Sequence, residues 1–350
     1  MRLRQLGLVV HSGRPDAVRA AAAVRDWCLR STVRCHDLEV WGEDVAVPPA
    51  GGLDLVLTLG GDGTFLRGAR VALAAGAPVL GVDFGSVGFL TEVGGDRVLE
   101  ALDAVAQGQG DVERRMTLAL RTNRPLAVPQ DIEVLLRMGR GPAPRSRPRP
   151  AEDGAADWGV ASDAAAVNDV VFEKLVRDRQ IAVAVYVAGR LLASYAADAA
   201  IVATATGSTA YSFAAGGPVL SPRVTGLVFT PVAAHMAFDR SIVAGPDEPV
   251  AIRVLPHSGP VAVSVDGQVV GVAEPGDWAG VYPSRLTLEI LRLQPADFYG
   301  RLRERFSLAD APAAVAHGSA PRLFPAPTAT FPDDLEGMQV PLPAPPARPC

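Results

Sequence analysis

The chain opens with a short apolar run, Leu6 to Val10, that stops at the polar, turn-like stretch His11-Ser12-Gly13-Arg14-Pro15. A brief apolar run bounded by turn formers predicts a buried strand. From Asp16 to Leu29 the alanines and valines fall on one helical face and Arg and Asp elsewhere, which predicts a helix. Leu53 to Leu59 repeats the strand pattern and is stopped by glycines. Thr64 to Ala75 then reads as a helix, and Pro78 to Val82 as a third strand. Strands alternating with helices imply a parallel sheet covered on both faces, so residues 1–110 are expected to form an α/β domain.

After Asp111 the texture changes. Val112 to Thr122, Asp131 to Arg137, Ala182 to Val187 and Val261 to Val265 resemble strands, with few long helices between them. A second, β-rich domain is expected over residues 111–294. Within it, Met138 to Trp158 is rich in Pro, Arg and Gly without periodicity, and reads as a mobile insertion in a hairpin. Residues 295–307 are expected to return to the first domain. Residues 308–350 turn to Pro and Ala, too poor in buriable surface to order themselves, and read as a disordered tail.

Composition narrows the function classes. A chain of 350 residues with 49% hydrophobic and 20% charged content is globular and long enough for two domains. The formal net charge of −5 gives no electrostatic reason to expect nucleic acid or an anionic membrane as partner. Cys28, Cys35 and Cys350 have no metal-ligand spacing, and their odd number argues against a disulfide framework. Early arginines are followed by no sustained apolar run, so neither a signal peptide nor a membrane span is expected, and the expected location is the cytoplasm.

The most informative stretch is Leu55-Val56-Leu57-Thr58-Leu59-Gly60-Gly61-Asp62-Gly63-Thr64. A buried strand delivers the chain to a sheet edge. Glycines there let the backbone turn tightly and bring its amides close to a polyphosphate. The helix that follows adds its positive N-terminal end. A plain strand–turn–helix joint would need no more than the glycines. Asp62 is what it does not need, because a carboxylate beside phosphates is repelled unless it holds Mg²⁺ or accepts a proton from an attacking hydroxyl. No Gly-Lys-Ser/Thr follows, so this is not a Walker loop.

Gly60-Gly61-Asp62-Gly63-Thr64 resembles the Gly-Gly-Asp-Gly-Thr/Ser loop of a superfamily that includes NAD kinases, diacylglycerol kinases and phosphofructokinases. The stretch Asp198-Ala199 through Thr204-Ala205-Thr206-Gly207-Ser208-Thr209-Ala210-Tyr211, with Gly216-Gly217-Pro218 after it, resembles the NAD kinase signature. Four further segments match in order. Gly85-Ser86-Val87-Gly88-Phe89-Leu90 resembles a segment whose Phe packs on adenine. Asn168-Asp169 stands where the family has Asn-Glu, which holds adenosine. Thr230-Pro231 with His235, and then Asp266-Gly267-Gln268, resemble the late motifs. By default Asp266-Gly267 is a hairpin turn.

The resemblance runs from about Leu6 to Leu293 and implies a two-domain fold with the active site between the domains. It implies ATP with Mg²⁺ or another divalent metal as donor, NAD as acceptor and NADP as product. Homodimers or homotetramers are implied as well. Asp62 would orient or deprotonate the adenosine 2′-hydroxyl, with Gly60, Gly61, Gly63 and Thr64 forming the phosphate loop. Phe89, Asn168, Asp169, Thr209 and Ala210 would hold the adenosine, while Asp198, Tyr211 and His235 would face the rest of the dinucleotide.

The departures from the pattern gather in the acceptor half. Asp83 replaces an Asn, Asp169 is one methylene shorter than Glu, Ala199 replaces a Gly, Ala205 a Pro and Ala214 a Ser. If position 199 needs positive φ, Ala there adds strain of roughly 1 kcal/mol or more. Two alternatives therefore stand beside the first reading: a paralogous kinase with an altered nucleotide-like acceptor, and a non-catalytic nucleotide-binding regulator.

Overall fold

The computed structural model describes residues 3–40, 52–85, 88–129, 159–236, 238–294 and 297–308. The strand expected over Asp131–Arg137, the insertion at 138–158 and the tail at 309–350 lie outside the described residues, as do Ser86 and Val87.

The N-terminal half is the expected parallel α/β layer. Strand β1 (Gln5–Val10) leads through helix α1 (Pro15–Arg30) to β2 (Arg34–Asp37), then β3 (Leu55–Leu59), helix α2 (Asp62–Ala75) and β4 (Val79–Asp83). Two-residue β5 (Val93–Gly94) and helix α3 (Val98–Ala106) complete it. The strands run parallel in the order β2-β1-β3-β4, and β5 joins β4. Side chains alternate across this sheet, as a period of two requires. Leu6, Leu8, Leu55, Leu57 and Leu59 meet Ala17, Ala21 and Val24 of α1 and Leu102 of α3 on one face. Val9, Val56 and Val79 meet Phe65, Ala69 and Ala72 of α2 on the other. Gly68 lets α2 lie close on β3, since a Cβ there would overlap the Thr58 methyl. Cys28 is buried and Cys35 half-buried, both as free thiols.

The C-terminal half is β-rich, as its texture implies. Its strands are β6 (Asp111–Thr122), β7 (Val160–Ala166), β8 (Asp169–Lys174), β9 (Ile181–Val187), β10 (Arg190–Ala197) and β11 (Ala199–Ala203). A one-turn helix α4 (Tyr211–Ala214) precedes β12 (Leu227–Val232), β13 (Ile242–Ala244), β14 (Val250–Val254), β15 (Val261–Val265), β16 (Gln268–Ala273) and β17 (Trp278–Arg292). Helix α5 (Phe298–Arg305) follows. One antiparallel sheet runs β13-β12-β11-β8-β15-β16. Phe172, Val202, Phe229 and Val263 from it pack against Leu118, Val183, Tyr195, Ile252 and Val281 from the other sheet.

The halves are not joined by a loose linker. β6 and β17 pair antiparallel from Thr122↔Ala279 to Asp111↔Arg292, and β17 then pairs with β4 through Ile290↔Val79. Leu288 and Ile290 therefore belong to the core under α2. This continuous sheet ties the glycine turn after β3 to the C-terminal half, whose second sheet carries β8 and β11.

Candidate active site

β3 delivers the chain to Gly60, whose N–H donates to Val82 O at 2.9 Å, and α2 begins at Asp62 with Gly61 as its extended N-cap. The first N–H groups of any helix have no intrahelical acceptor, so this terminus presents donors to an anion. A Cβ at Gly60 would overlap the Thr64 hydroxyl, so only glycine fits over that side chain. Thr64 is 2% exposed and its Oγ1 has no hydrogen-bond partner. A buried hydroxyl without a partner is costly and points to an absent one.

Asp62 does not point into solvent. Its Oδ2 accepts from Phe89 N at 3.0 Å, and its Oδ1 from Leu90 N at 3.1 Å and Thr91 N at 3.4 Å. The side chain fits because residue 88 is glycine; a Cβ there would overlap the carboxylate. Asp83, which stands where the family has Asn, is 5% exposed and holds the same loop. It accepts from Gly85 N at 2.6 Å and from Thr91 Oγ1 at 3.1 Å.

In the C-terminal half, Asp266 and Gly267 have φ of 48° and 73° and close the two-residue turn between β15 and β16. Positive φ at both central residues is the primed hairpin turn that Asp-Gly favours. The turn has a further task that its sequence does not disclose. The Asp266 carboxylate accepts from Val167 N at 2.9 Å, Asn168 N at 2.7 Å and Asp169 N at 3.2 Å, so it clamps the segment carrying the expected adenosine ligands. Burial pushes the Asp266 carboxyl up, partly opposed by Arg70 and these backbone bonds. Asp169 is 5% exposed, and its carboxyl is pushed up to about 7 by burial and then by the charge of Asp266.

The segment after β11 packs on Asn168. Thr204 N donates to Asn168 O at 2.8 Å, and a Cβ on Gly207 would overlap that carbonyl. The sequence reads as a strand ending at Thr206-Gly207-Ser208-Thr209 and a helix starting with small hydroxyl residues that can donate to a ligand. Instead β11 ends at Ala203 and the helix is a single turn. The hydroxyls brace the loop: Thr204 Oγ1 donates to Val167 O, Ser208 Oγ to Ala205 O and Thr209 Oγ1 to Thr206 O. Short polar side chains bond readily to nearby backbone in this way. Ala199 starts β11 opposite Glu173 without positive φ, so the strain that a glycine would relieve is absent. Ala205 is buried in the cluster with Val171 and Leu220, and Ala214 is exposed on α4.

The remaining expected residues lie further along β8 and β11. Asp169 pairs with Ala203 at one end of this ladder and Glu173 with Ala199 at the other, about 13 Å away at the usual strand rise. At the far end Asp198 makes an ion pair with Lys174 at 2.7 Å, and His235 is exposed, its N–H donating to Ala196 O. Tyr211 is 42% exposed, its phenol pushed up by burial and by Glu173, Asp198 and Asp169. Thr209 and Ala210 are half-buried.

Phe89 is already in aromatic company. Its ring centroid lies 6.0 Å from Phe298 and 6.1 Å from Phe306, and Phe306 lies 4.4 Å from Phe213 on α4. Phe306 thus bridges the loop that carries Phe89 and helix α4. A buried ion network crosses beneath. Arg115 donates to Thr206 Oγ1 at 3.2 Å and to Glu113 at 2.7 Å; Glu113 also bonds Arg292 at 2.7 Å. Burial raises the Glu113 carboxyl, but Arg292 and Arg115 outweigh it and hold it below its ordinary value. Arg115, Arg292, Arg301, Phe306 and the clamp role of Asp266 were not read from the sequence. No local motif marks them, because each acts on chain far from itself.

Among the described residues no three His, Cys, Asp or Glu side chains gather as a metal site. A magnesium ion carried on substrate phosphates, with one carboxylate nearby, fits this arrangement, since such ions commonly keep few protein ligands.

Residues 30–110 match the family model of the ATP-NAD kinase N-terminal domain, and residues 167–293 that of the ATP-NAD kinase C-terminal domain. The chain is 58% identical over 350 residues to NAD kinase 1 of Streptomyces avermitilis, covering 97% of each chain. It is 32% identical over 319 residues to NAD kinase 2 of Streptomyces coelicolor, covering 88% of this chain and 95% of that one. Among solved structures, yeast NADH kinase complexed with NADH superposes with a TM-score of 0.69 at 18% identity, covering 89% of both chains. An NAD kinase from Archaeoglobus fulgidus in complex with ATP gives 0.60 at 20% identity, covering 87% of this chain and 98% of that one. The last two likenesses bear on the fold alone.

Proposed function

Because the chain belongs to the ATP-NAD kinase family, we propose that it transfers the γ-phosphoryl group of ATP to the adenosine 2′-hydroxyl of NAD, giving NADP. The observation that carries the mechanism is the Asp62 carboxylate, held by three backbone N–H groups at the N-terminus of α2 beside a partnerless Thr64 hydroxyl.

Phosphoryl transfer asks a protein mainly to position and to neutralise charge. The glycine turn at Gly60, Gly61 and Gly63 brings backbone amides and the helix end to the transferred phosphate, and Thr64 offers its hydroxyl there. Magnesium on the ATP phosphates supplies further neutralisation. Asp62, fixed in one orientation, aligns the 2′-hydroxyl for in-line attack and takes its proton as the new O–P bond forms and the bond from the γ-phosphorus to the β,γ-bridging oxygen breaks, releasing ADP. Asn168 and Asp169, clamped by Asp266, hold adenine and ribose, with Phe89, Thr209 and Ala210 around them. Asp198, Tyr211 and His235 receive the other half of the dinucleotide.

On this reading residues 1–110 are the donor half and 111–294 the acceptor half, with 295–307 returning to the first. No helix among the described residues is long and apolar enough to cross a membrane. We place the enzyme in the cytoplasm, as a homodimer or homotetramer. The test is direct: with ATP, Mg²⁺ and NAD, the purified chain forms NADP, followed through an NADP-dependent dehydrogenase. ATP binding without NADP formation would remove NAD as acceptor.

Asp169 adds a pH signature. Two hydrogen bonds from ribose hydroxyls need the carboxylate, and this carboxyl titrates near 7 because of burial and Asp266. The KM for NAD should therefore rise by about tenfold between pH 8 and pH 6, as the ionised fraction falls. Asp169→Asn should flatten that profile; a wild-type KM independent of pH in this range would remove Asp169 from the ribose.

A further inference from the structure

Asp62 is only half of a longer arrangement. Its carboxylate takes the N–H groups of Phe89, Leu90 and Thr91. In a trans peptide unit the N–H of one residue and the C=O of the residue before it point in opposite directions. The three carbonyls paired with those N–H groups are therefore those of Gly88, Phe89 and Leu90, on the far side of the loop. All three meet a guanidinium. Arg301 Nη1 lies 3.2 Å from Gly88 O and 3.3 Å from Phe89 O, and Arg292 Nη1 lies 3.2 Å from Leu90 O. Arg301 also donates to Thr91 O at 2.5 Å. Three consecutive peptide units thus stand between one carboxylate and two cations.

Each cation polarises the peptide units it touches and strengthens their N–H donation to Asp62, as linked hydrogen bonds do. The loop is also held in place from both sides, so the carboxylate rests against a rigid surface rather than a mobile turn. Arg292 is tied to Glu113 and Glu92 and sits at the end of β17. Arg301 is different: it comes from α5, a short helix kept on the loop by Phe298 and Phe306 against Phe89.

We propose that Arg301 is a positioning residue for Asp62, acting through the backbone of Gly88–Thr91, so that the C-terminal helix is part of the phosphoryl-transfer machinery. The inference rests on the reading of Asp62 given above. It follows that Arg301 serves turnover more than substrate binding, since it bonds backbone on the side of the loop away from the carboxylate.

The test uses the full chain with Arg301→Met, Arg301→Lys, Asp62→Asn and the Asp62→Asn/Arg301→Met double variant, each measured for kcat, for KM of ATP and NAD, and for thermal unfolding. Loss of a residue that orients a reacting group commonly costs about 10–100-fold. Arg301→Met should lower kcat by about that factor with both KM values within about twofold, and Arg301→Lys should recover part of the loss. The double variant should be no slower than Asp62→Asn, because Arg301 acts only through that carboxylate. An unchanged kcat in Arg301→Met, a loss that multiplies with that of Asp62→Asn, or a loss shared equally by kcat/KM for both substrates through raised KM overturns the proposal. Should the Met variant fail to fold, Arg301→Lys decides: a lowered kcat at unchanged KM supports the coupling and an unchanged kcat overturns it. If Asp62→Asn alone keeps full activity, the reading of Asp62 has failed, whatever Arg301 does.

Discussion

Asp62→Asn should reduce kcat for NADP formation by about 10³-fold while ATP still binds, since a positioned general base contributes on the order of 10²–10⁴. Asparagine fills nearly the same space, so α2 and the glycine turn persist. Two things change at once. The amide cannot take the 2′-hydroxyl proton, and its NH₂ group must face one of the backbone N–H groups that now meet carboxylate oxygens at 3.0–3.4 Å. A donor facing a donor pushes the side chain or the loop aside, and misplacement of about 1 Å costs on the order of 10²-fold by itself. The dehydrogenase-coupled assay, run beside a titration of ATP binding, separates this loss from a folding defect. Activity within about tenfold of wild type would show that the carboxylate is neither base nor aligner.

The second large effect belongs to Asp266. Asp266→Ala leaves the N–H groups of Val167, Asn168 and Asp169 without their acceptor, each worth roughly 1–3 kcal/mol when shielded from water, so denaturant titration should find a stability loss of about 3 kcal/mol or more. The same release frees Asn168 and Asp169, and the KM for NAD should rise more than that for ATP. Asp266→Asn keeps the shape and removes the charge that helps raise Asp169. In the wild type the stability that Asp169 contributes is fully present below its ordinary 3.8 and is lost as pH rises through about 7, because the native state binds that proton more tightly than the unfolded chain. In Asp266→Asn that window should narrow from its upper end, and the acidic limb of the NAD KM profile should move to lower pH. An unmoved limb would mean that burial alone sets the Asp169 carboxyl.

Much of the donor half was legible because its determinants are local. Strand expectations at Leu6–Val10, Leu53–Leu59 and Pro78–Val82 correspond to Gln5–Val10, Leu55–Leu59 and Val79–Asp83, and the helix expected from Thr64 begins at Asp62. Short apolar runs broken by glycine have few other ways to satisfy both burial and backbone hydrogen bonding. Helix α3 was not read from the sequence, although Val98, Ala101, Leu102 and Val105 repeat at helical spacing. Neither was the long strand β17, whose Pro283 and polar Ser284-Arg285 interrupt any alternating pattern at the register shift where the strand passes between the halves. The segment from Thr204 to Thr209 matches the family signature, and its hydroxyls brace it from within.

By itself the sequence determined an α/β half with a glycine turn, a β-rich half, and a carboxylate at that turn, since period, turn chemistry and charge are properties of neighbouring residues. Tertiary structure alone decided what holds that chemistry in place. Asp62 finds its N–H donors 27 residues away, Asp266 finds Asn168 at a separation of 98, and Arg301 reaches Gly88 across 213. Such partners leave no spacing to read, because chain reversal in the sheet, and not distance along the sequence, brings a carboxylate, a peptide loop and a guanidinium to the same few ångströms.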